Sequence, residues 1–318
     1  MSIRVIKPGL LSSVQDCGRH GHAALGVGHA GAMDLPALRL ANALVDNAAD
    51  AAALELTLLG PTLHFEMTTR IALCGADLDA RLDGIPVPMW CVVDVAAGST
   101  LDATRMRSGV RAILAVAGGL AVTPVLGSAS ADINAGLGPR ALHADDLLAT
   151  GPASACRSTR APSWSIDPRP WFDFDVERPL RLIRGSHFEA LDSTSRLALF
   201  DRVFRVSSDS NRVGLRLDGV VLALAGPLEQ VSEPVTTGTV QLPPAGQPIV
   251  LMAEHPTTGG YPRIGQVAAV DLPRLAQRRP GDHVRFSEIT LDDAFARYRV
   301  QQRELDTLIA AIHERNHR

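Results

Sequence analysis

Short apolar runs, bounded by glycines, prolines and polar residues, follow one another along the first half of the chain. Residues 54–58 alternate apolar and polar positions, which is typical of a half-buried strand. Asp83-Gly84, between apolar flanks, predicts a tight hairpin turn. Further buried strands are predicted at residues 71–74, 89–95 and 110–119.

Helical periodicity marks three segments. The first follows Asp34, a residue type that caps helices. Its predicted apolar face comprises Leu35, Leu38, Ala41, Leu44 and Val45. The second covers residues 187–200, and the third begins at Thr290, with Asp293 three residues later as in a capping box.

The second half of the chain repeats the pattern of short strands. Residues 201–219 predict a strand, a turn and a second strand. Further strands are predicted at residues 180–185, 220–224, 248–252 and 267–270. We therefore expect a mainly β fold of two β-barrel-like halves, with a few short helices and a C-terminal helix. The expected division is a domain at 1–150, a connecting segment at 151–179, a β domain at 180–288 and a helix at 289–318.

The composition excludes several classes of protein. With 46% hydrophobic residues, the 318-residue chain can bury a large core. The net charge of −3, without blocks of like charge, argues against nucleic-acid and membrane-surface partners. No apolar stretch approaches the ~18 residues of a membrane span, and no secretion signal is visible.

Cysteine and lysine usage narrows the chemistry further. The four cysteines are scattered without a CxxC pair, which favours a reduced, cytoplasmic chain. Histidine and cysteine do not cluster at metal-ligand spacing, so no metal site is predicted. Because Lys7 is the only lysine, the chain has no GxxxxGK(S/T) phosphate loop and, apart from Lys7, no lysine that could carry biotin.

A long glycine-rich loop at residues 12–34 is the first candidate site. Gln15, Asp16 and Arg19 are the polar groups at its entry, and its glycines permit close approach of the backbone to a ligand. Loops of this length are often functional. The alternative is a surface loop in which Asp16 and Arg19 form a local ion pair.

The pair Asn211-Arg212 is the second candidate, between two predicted strands. An amide and an arginine fork suit a carboxylate, bicarbonate or phosphate. The alternative, which composition favours, is an ordinary hairpin turn.

The segment EHPTTGGY is the third candidate, between two apolar runs. Its chemistry-bearing residues are Glu254, His255, Thr257, Thr258, Gly259, Gly260 and Tyr261. The first two are candidate acid–base groups, while the threonine hydroxyls and exposed glycine amides suit an anion. A tight turn with a capped strand end is the alternative.

Long stretches of the chain match one known family in order and spacing. They include GLLSSVQDCGRHGHAALGVGHAGAMD, IALCGADLDARLDGIPVPMW, SNRVGLRL and PVTTGTVQLPPAGQPIVLMAEHPTTGGYPRIG. On these motifs the chain resembles the allophanate hydrolase subunit 2 family over about residues 3–286. That family includes the C subunit of bacterial 5-oxoprolinases, kinase-inhibitor antagonists, and one half of the carboxyltransferase domain of urea carboxylases.

The resemblance implies a cyclophilin-like β fold and ATP-dependent opening of 5-oxoproline by a complex, with ATP bound by this chain or by a partner. The expected partners are a B subunit of the allophanate hydrolase subunit 1 type and an A subunit of the LamB/YcsF type. The catalytic candidates are Asn211, Arg212 and Asp16. The substrate-binding candidates are Gln15, Arg19, Asp34, Asn42, Glu254 and the residues from Thr257 to Tyr261.

Two other functions are compatible with the resemblance. One is a carboxyltransferase component that receives a carboxyl group from biotin carried by another protein. The other is a non-enzymatic regulator of a kinase inhibitor. The chain departs from the usual family pattern at Cys17, at Glu254-His255-Pro256, at Ala131 and at Ala144, which bears on the substrate more than on the fold.

Overall fold

The computed structural model describes residues 2–152, 164–171, 175 and 177–317. The chain divides into two compact units. Unit 1 takes its residues from Met1–Arg19, Ala30–Asp173 and Glu304–Arg318, and unit 2 from His20–His29 and Phe174–Arg303. The predicted connecting segment at 151–179 stays a prediction, because much of it lies outside the described residues.

A large antiparallel sheet forms unit 1. Its strands are β1 (Ser2–Lys7), β2 (Leu11–Gln15), β3 (Ala53–Thr57), β4 (Thr62–Phe65), β5 (Thr69–Leu82), β6 (Ile85–Pro86), β7 (Val92–Val95), β8 (Thr100–Val116) and β9 (Leu147–Ala149). They follow the order β2-β3-β8-β4-β1-β9, and β5 pairs with β6, β7 and β8. The hairpin between β5 and β6 turns at Asp83-Gly84, as predicted, with φ angles of 49° and 82° that suit this pair.

The first four residues of β3 are buried on both faces of the sheet, since successive side chains point to opposite sides and each side packs against apolar residues. Leu54 and Leu56 of β3 enter one apolar cluster, while Ala53 faces a second cluster built around the helix α1 (Leu35–Leu44). The predicted half-buried pattern of residues 54–58 is therefore wrong, since even Glu55 is buried in this strand.

Helix α1 begins where the sequence predicts. The Asp34 carboxylate accepts a hydrogen bond from the Ala37 amide at 3.0 Å and so caps the first turn. Leu38, Leu40 and Leu44 are buried against the sheet. Leu35, which was expected on the apolar face, is 39% exposed.

A second sheet forms unit 2. Its strands follow the order β18-β11-β12-β15-β14-β17-β10-β19, and β13 pairs with β16 in a separate ribbon. The bounds are β10 (Leu180–Arg184), β11 (Phe204–Val206), β12 (Gly214–Asp218), β13 (Glu233–Pro234), β14 (Thr239–Gln241), β15 (Ile249–Leu251), β16 (Thr258–Gly259), β17 (Arg263–Val267), β18 (His283–Val284) and β19 (Phe286–Glu288). The mainly β fold class is thereby confirmed, with one half-barrel sheet and one nearly closed barrel sheet.

Three further helices complete the described secondary structure: α2 (Ser193–Asp201), α3 (Leu272–Ala276) and α4 (Leu291–Asn316). Thr290 caps α4 as predicted, since its hydroxyl accepts from the Asp293 amide at 3.1 Å and donates to the Asp293 carboxylate at 2.8 Å. The short helix expected within residues 187–200 is confirmed as α2, capped by Asp192.

Two strand predictions in unit 2 are wrong. Residues 220–224 make only an isolated bridge, between Leu224 and Leu191. Residues 267–270 were expected as a strand, but β17 ends at Val267 and a short 3-10 turn follows at Ala269–Asp271. In residues 267–270 the buried Ala268 and Val270 continue the core beyond the end of β17, whereas in residues 220–224 only Leu222 is buried and Val221 is 64% exposed. An apolar run alone therefore does not distinguish a strand from irregular backbone.

Asp271 joins the start of β10 to the α3 segment. Its fully buried carboxylate accepts from the Arg181 side chain at 2.6 and 2.8 Å, from the Arg181 amide at 2.8 Å, and from Arg274 at 3.1 Å. Burial raises the pKa of this carboxyl, but the hydrogen bonds and charge of the two arginines outweigh burial and bring the pKa below its ordinary value. The carboxylate is therefore a structural anion.

Substitution of Asp271 by asparagine is expected to lower the free energy of unfolding by about 3–5 kcal/mol, because two largely buried guanidinium groups lose their carboxylate. Urea denaturation of the full chain measures this loss. Asp218→Asn, at an exposed carboxylate of β12, is the matched control and is expected to change stability by less than about 0.5 kcal/mol. Equal losses in the two variants would contradict this assignment.

Candidate functional site

Asp16 lies directly after β2 and is held from both sides of its carboxylate. Oδ1 accepts hydrogen bonds from the Ser128 hydroxyl at 2.6 Å, from the Gly18 amide at 2.8 Å, and from the Ser130 hydroxyl. Oδ2 accepts from the Ala129 amide at 2.6 Å. The carboxylate therefore joins the predicted ligand loop to a segment more than 100 residues later in the chain.

The environment of Asp16 favours its ionised form. Burial raises the pKa of the carboxyl, but hydrogen bonds from the two serine hydroxyls and the two backbone amides outweigh burial, so the pKa lies below its ordinary value. A carboxylate that is this weakly basic and already accepts four donors is a poor general base. The contacts give Asp16 a positioning role, and its catalytic role stays a prediction.

Arg19 is buried in the same loop and does not pair with Asp16. Its Nε donates to the Val125 carbonyl at 3.2 Å, and its Nη2 donates to the Ser130 carbonyl. Only 3% of the residue is exposed. The alternative of a surface ion pair between Asp16 and Arg19 is therefore wrong.

Gln15 is fully buried beside this cluster. Its Nε2 donates to the Ser13 hydroxyl at 3.0 Å and to the Ala131 carbonyl at 3.1 Å. Gln15, Asp16 and Arg19 are thus brought together on one short segment, residues 128–131, as the candidates for a common site.

Cys17, next to Asp16, is unsuited to act as a nucleophile near neutral pH. Burial raises the pKa of its thiol to about 11, and the charges of Asp16 and Asp50 add to the effect. The thiolate, which is the reactive form, is therefore scarce.

Asp34 and Asn42 serve the fold in visible ways. Asp34 caps α1, and Asn42 donates to the Ala51 carbonyl at 2.8 Å while accepting from the Asn47 side chain at 3.1 Å. Both side chains are buried, so their substrate-binding role stays a prediction.

In unit 2, a buried ion pair joins Arg212 to Glu254. Arg212 Nε donates to Glu254 Oε1 at 2.5 Å, and the two side chains are 4% and 0% exposed. The Glu254 amide also donates to the Arg212 carbonyl at 2.8 Å. The ends of β12 and β15 are thereby locked together, and part of the arginine fork is occupied by protein.

Asn211 forms the turn that precedes β12, and its side chain is exposed. Its Oδ1 accepts from the Val213 amide at 2.8 Å and from the Gly214 amide at 3.3 Å, as in an Asx turn. The carboxamide nitrogen donates no hydrogen bond within the described part of the chain, so an N–H donor is available to a ligand. The turn interpretation and the binding interpretation are therefore compatible.

The residues from Thr257 to Tyr261 lie at the surface in the ribbon of β13 and β16. Glu233 pairs with Gly259, and Pro234 with Thr258, while an ion pair from Arg263 to Glu233 anchors β13. The two threonines, the two glycines and the tyrosine are all at least partly exposed, and Tyr261 is 44% exposed. The segment is thus accessible on a fixed backbone.

Gln241 packs against the buried side of this segment, and its role was not predicted from the sequence. It is 5% exposed, and a Cβ atom added to Gly259 would fall on its Nε2. The missing side chain at Gly259 therefore has a steric cause. Buried polar residues such as Gln241, Ser128 and Ser130 give no signal in a single sequence, because the loops they support are distant in the chain.

His255 is buried beside Glu254. Burial lowers the pKa of its imidazole below the ordinary value, and a hydrogen bond of 2.6 Å to the Pro256 carbonyl offsets this only in part. The neutral form therefore prevails near pH 7, as a general base requires. Its acid–base role stays a prediction.

Metal-ligand clusters and membrane-spanning helices are both missing from the described residues. These residues contain no group of three or more His, Cys, Asp or Glu side chains arranged to hold a metal ion. They also include no helix with the length and apolar character needed to cross a membrane.

Comparison with protein families gives one match that covers most of the chain. The family described as "Carboxyltransferase domain, subdomain A and B" matches residues 25–288. The chain belongs to this carboxyltransferase family. The resemblance inferred from the sequence motifs is thereby confirmed.

Individual members of the carboxyltransferase family are similar over nearly the full length. The chain is 38% identical to the 5-oxoprolinase C subunit of Escherichia coli, covering 99% of this chain and 100% of that protein. It is 36% identical to the protein of the same name from Haemophilus influenzae, covering 96% and 97%. The crystal structure of Kluyveromyces lactis urea carboxylase matches with a TM-score of 0.87 at 26% identity, over 99% of this chain and 29% of that one.

The Asp16 contacts predict a pH-dependent stability. The folded-state pKa is lowered, so the carboxylate stabilises the fold above its unfolded pKa of about 4 and loses this effect as pH falls through the folded value. We expect Asp16→Asn to be less stable than the wild type by about 1–3 kcal/mol at pH 7. The difference should shrink below about pH 4. Urea denaturation between pH 7 and pH 3 measures it, with the exposed Asp201→Asn as control; a difference that does not change with pH would contradict the assignment.

A pair of neighbouring glycines tests the packing beneath the third candidate segment. Gly259→Ala is expected to cost about 1 kcal/mol, because the new methyl group must displace the buried end of the Gln241 side chain. Gly260→Ala, whose Cβ would lie 3.5 Å from the Ser232 hydroxyl, is the matched control and should be nearly neutral. In the double variant Gly259→Ala, Gln241→Ala the collision is relieved, so the two losses should be less than additive. Additive losses in thermal denaturation would exclude the collision as the cause.

Proposed function

We propose that this chain is the C subunit of a 5-oxoprolinase, a hydrolase complex that opens the 5-oxoproline lactam to glutamate at the expense of ATP. The observation that carries the proposal is the near full-length similarity to two proteins named as the C subunit of 5-oxoprolinase. The proposed partners are a B subunit of the allophanate hydrolase subunit 1 type and an A subunit of the LamB/YcsF type. The proposed compartment is the cytoplasm.

Opening of the lactam requires stabilisation of the negative charge that develops as the reaction proceeds. A lactam carbon is a weak electrophile, so the amide oxygen is proposed to take the γ-phosphoryl group of ATP, with ADP as the leaving group. Water then attacks the activated ring carbon and the C–N bond breaks, and hydrolysis of the resulting acyl phosphate releases glutamate and phosphate. Preorganised donors at developing charge contribute most to such transfers. In this chain the proposed donors are the carboxamide nitrogen of Asn211 and the backbone amides of the Thr257–Gly260 segment, which lies on an exposed, fixed ribbon.

The contacts of Arg212, His255 and Asp16 indicate different roles for these three candidates. Glu254 accepts a hydrogen bond from Arg212 Nε at 2.5 Å, so the arginine is proposed to hold the ends of β12 and β15 in position. The neutral His255 is a better proton acceptor near pH 7 than Asp16, whose carboxylate is saturated by protein donors. ATP is held by this chain or by one of its partners, and with no lysine phosphate loop its phosphates would rely on arginine and backbone amides.

A carboxyltransferase component is the second candidate. It is favoured by the family match and by the likeness to K. lactis urea carboxylase. In that case biotin is carried by another protein, and the same Asn211 and backbone donors would bind the oxygens of the carboxyl group as it passes from carboxybiotin to an acceptor substrate, leaving free biotin. The absence of carrier lysines other than Lys7 from the sequence is compatible with this role.

Reconstitution with the A-type and B-type partners tests the proposal. With ATP present, the wild-type complex is expected to convert 5-oxoproline to glutamate. Asn211→Ala should lower kcat by about 100- to 1,000-fold, because a donor at developing charge is lost. The complex itself should still form, as measured by size-exclusion chromatography.

Asp209→Ala, a neighbouring exposed turn residue, is the control for Asn211→Ala and should retain turnover. No glutamate formation by the intact wild-type complex would sink the 5-oxoprolinase proposal. Transfer of carboxyl groups from a biotinylated carrier protein by the same preparation would favour the second candidate instead.

A further inference from the structure

The Arg19 guanidinium is a buried cation without a carboxylate partner in the described residues. Only 3% of the residue is exposed, and no carboxylate oxygen of the described chain lies within 4.0 Å of its nitrogens. Its Nη1 exposes less than 1 Å² and makes no hydrogen bond to any described residue. Burying an unpaired charge is far more costly than burying a neutral polar group.

Arg19 makes no direct ion pair among the contacts that the described residues give it. The carbonyls of Val125 and Ser130 accept from Nε and Nη2, but both are neutral groups. Asp16 is the nearest carboxylate in the sequence, and its two oxygens are already engaged by hydroxyl and amide donors. The two carbonyls therefore fix the direction of the side chain, while Nη1 is left for another acceptor.

Gln15 supplies an independent and complementary group, an unpaired acceptor. The residue is 0% exposed, and its Oε1 accepts no hydrogen bond from the described residues. The orientation of the carboxamide is set by its nitrogen, which donates to the Ser13 hydroxyl and the Ala131 carbonyl. Arg19 donates to the Ser130 carbonyl, and Gln15 donates to the carbonyl of the next residue, Ala131. The side chains that carry the unpaired donor, Arg19 Nη1, and the unpaired acceptor, Gln15 Oε1, are therefore held by consecutive residues.

We propose that Arg19 Nη1 binds an oxyanion, either a carboxylate or a phosphate, and that Gln15 Oε1 accepts a hydrogen bond from an N–H or O–H of the same ligand. Only the identity of the ligand rests on the proposed function. In 5-oxoproline the carboxylate and the lactam N–H are attached to the same carbon, so one small molecule carries both groups. The phosphate of a nucleotide offers the same anionic chemistry.

The surrounding backbone offers a route to this pair. Gly138 has a φ of +73°, and a Cβ there would lie 2.4 Å from the Ser130 carbonyl oxygen and 2.7 Å from Arg19 Nη2, so glycine is needed where the chain passes the carbonyl that holds the guanidinium. The residues before it, 133–136, form an exposed turn. Movement of that turn would admit a ligand to nitrogens that bulk water does not reach.

Thermal denaturation of the full chain tests the proposal. Sodium phosphate and sodium 5-oxoproline are compared separately with sodium chloride at equal ionic strength. At about 100 times the dissociation constant, we expect the effective anion to raise the Tm by about 3–6 °C. A rise with 5-oxoproline alone identifies a carboxylate site, and a rise with phosphate alone identifies a phosphate site. Equal Tm values in all three salts would overturn the proposal.

Two variants assign the effect to this arginine. Arg19→Gln is expected to weaken binding by about 10- to 100-fold, the value of a charge-assisted hydrogen bond. Arg107→Gln, at an exposed arginine of the same unit that pairs with Asp79, is the matched control and should keep wild-type affinity. Wild-type anion affinity in a folded Arg19→Gln protein would overturn the proposal.

A wild-type measurement covers the case in which Arg19→Gln does not fold. Crystals soaked in selenate should show anomalous selenium density within hydrogen-bonding distance of Nη1, whereas an ordered water there, with no selenium, would overturn the proposal.

Failure of the proposed function can be distinguished from failure of this inference. A complex that turns over 5-oxoproline without anion binding at Arg19 leaves that function intact, and anion binding without turnover leaves this inference intact.

Discussion

Four hydrogen bonds to the Asp16 carboxylate hold the glycine-rich loop of unit 1 in place. They come from residues 18 and 128–130, which are far apart in the chain, so the loop cannot shift without leaving a buried anion unsatisfied. Gln15 and Arg19 are fixed by the same segment. The positions of Gln15, Asp16 and Arg19 therefore all depend on contacts with residues 125–131, and the hydrogen bonds that favour the ionised form of Asp16 leave it ill suited to take up a proton.

In unit 2, too, a buried carboxylate holds a candidate segment in place, here through an arginine. The buried Arg212–Glu254 pair locks the ends of β12 and β15, and the exposed segment from Thr257 continues from that lock. Gln241 then supports Gly259 from beneath. In both units buried polar contacts fix the backbone of a candidate loop, while some of its residues stay exposed or keep a donor that is available to a ligand. A preorganised binding site requires this arrangement.

Local signals in the sequence predicted local structure well. Asp34 before α1, Thr290 before α4 and Asp83-Gly84 in the hairpin act through neighbours in the chain, so their residue types are informative by themselves. The strand predicted at residues 220–224 was wrong because an apolar run also occurs in irregular backbone, and here only Leu222 is buried while Val221 is exposed. The supports of the candidate site, Ser128, Ser130 and Gln241, were invisible because their roles depend on contacts across long stretches of sequence. Glycine-rich and polar composition singled out the loops as candidates, and the family motifs favoured a binding role for them over plain turns.

Amide hydrogen exchange in the reconstituted complex tests most directly whether these two loops meet the ligand. Exchange would be measured in the wild-type complex with and without 5-oxoproline and a non-hydrolysable ATP analogue. The account predicts that protection rises in residues 15–19 and 257–261, while the exposed turn at Asp83-Gly84, which carries no candidate residue, is unchanged. If ligand is bound and the exchange rates of both loops are unchanged, the account is contradicted.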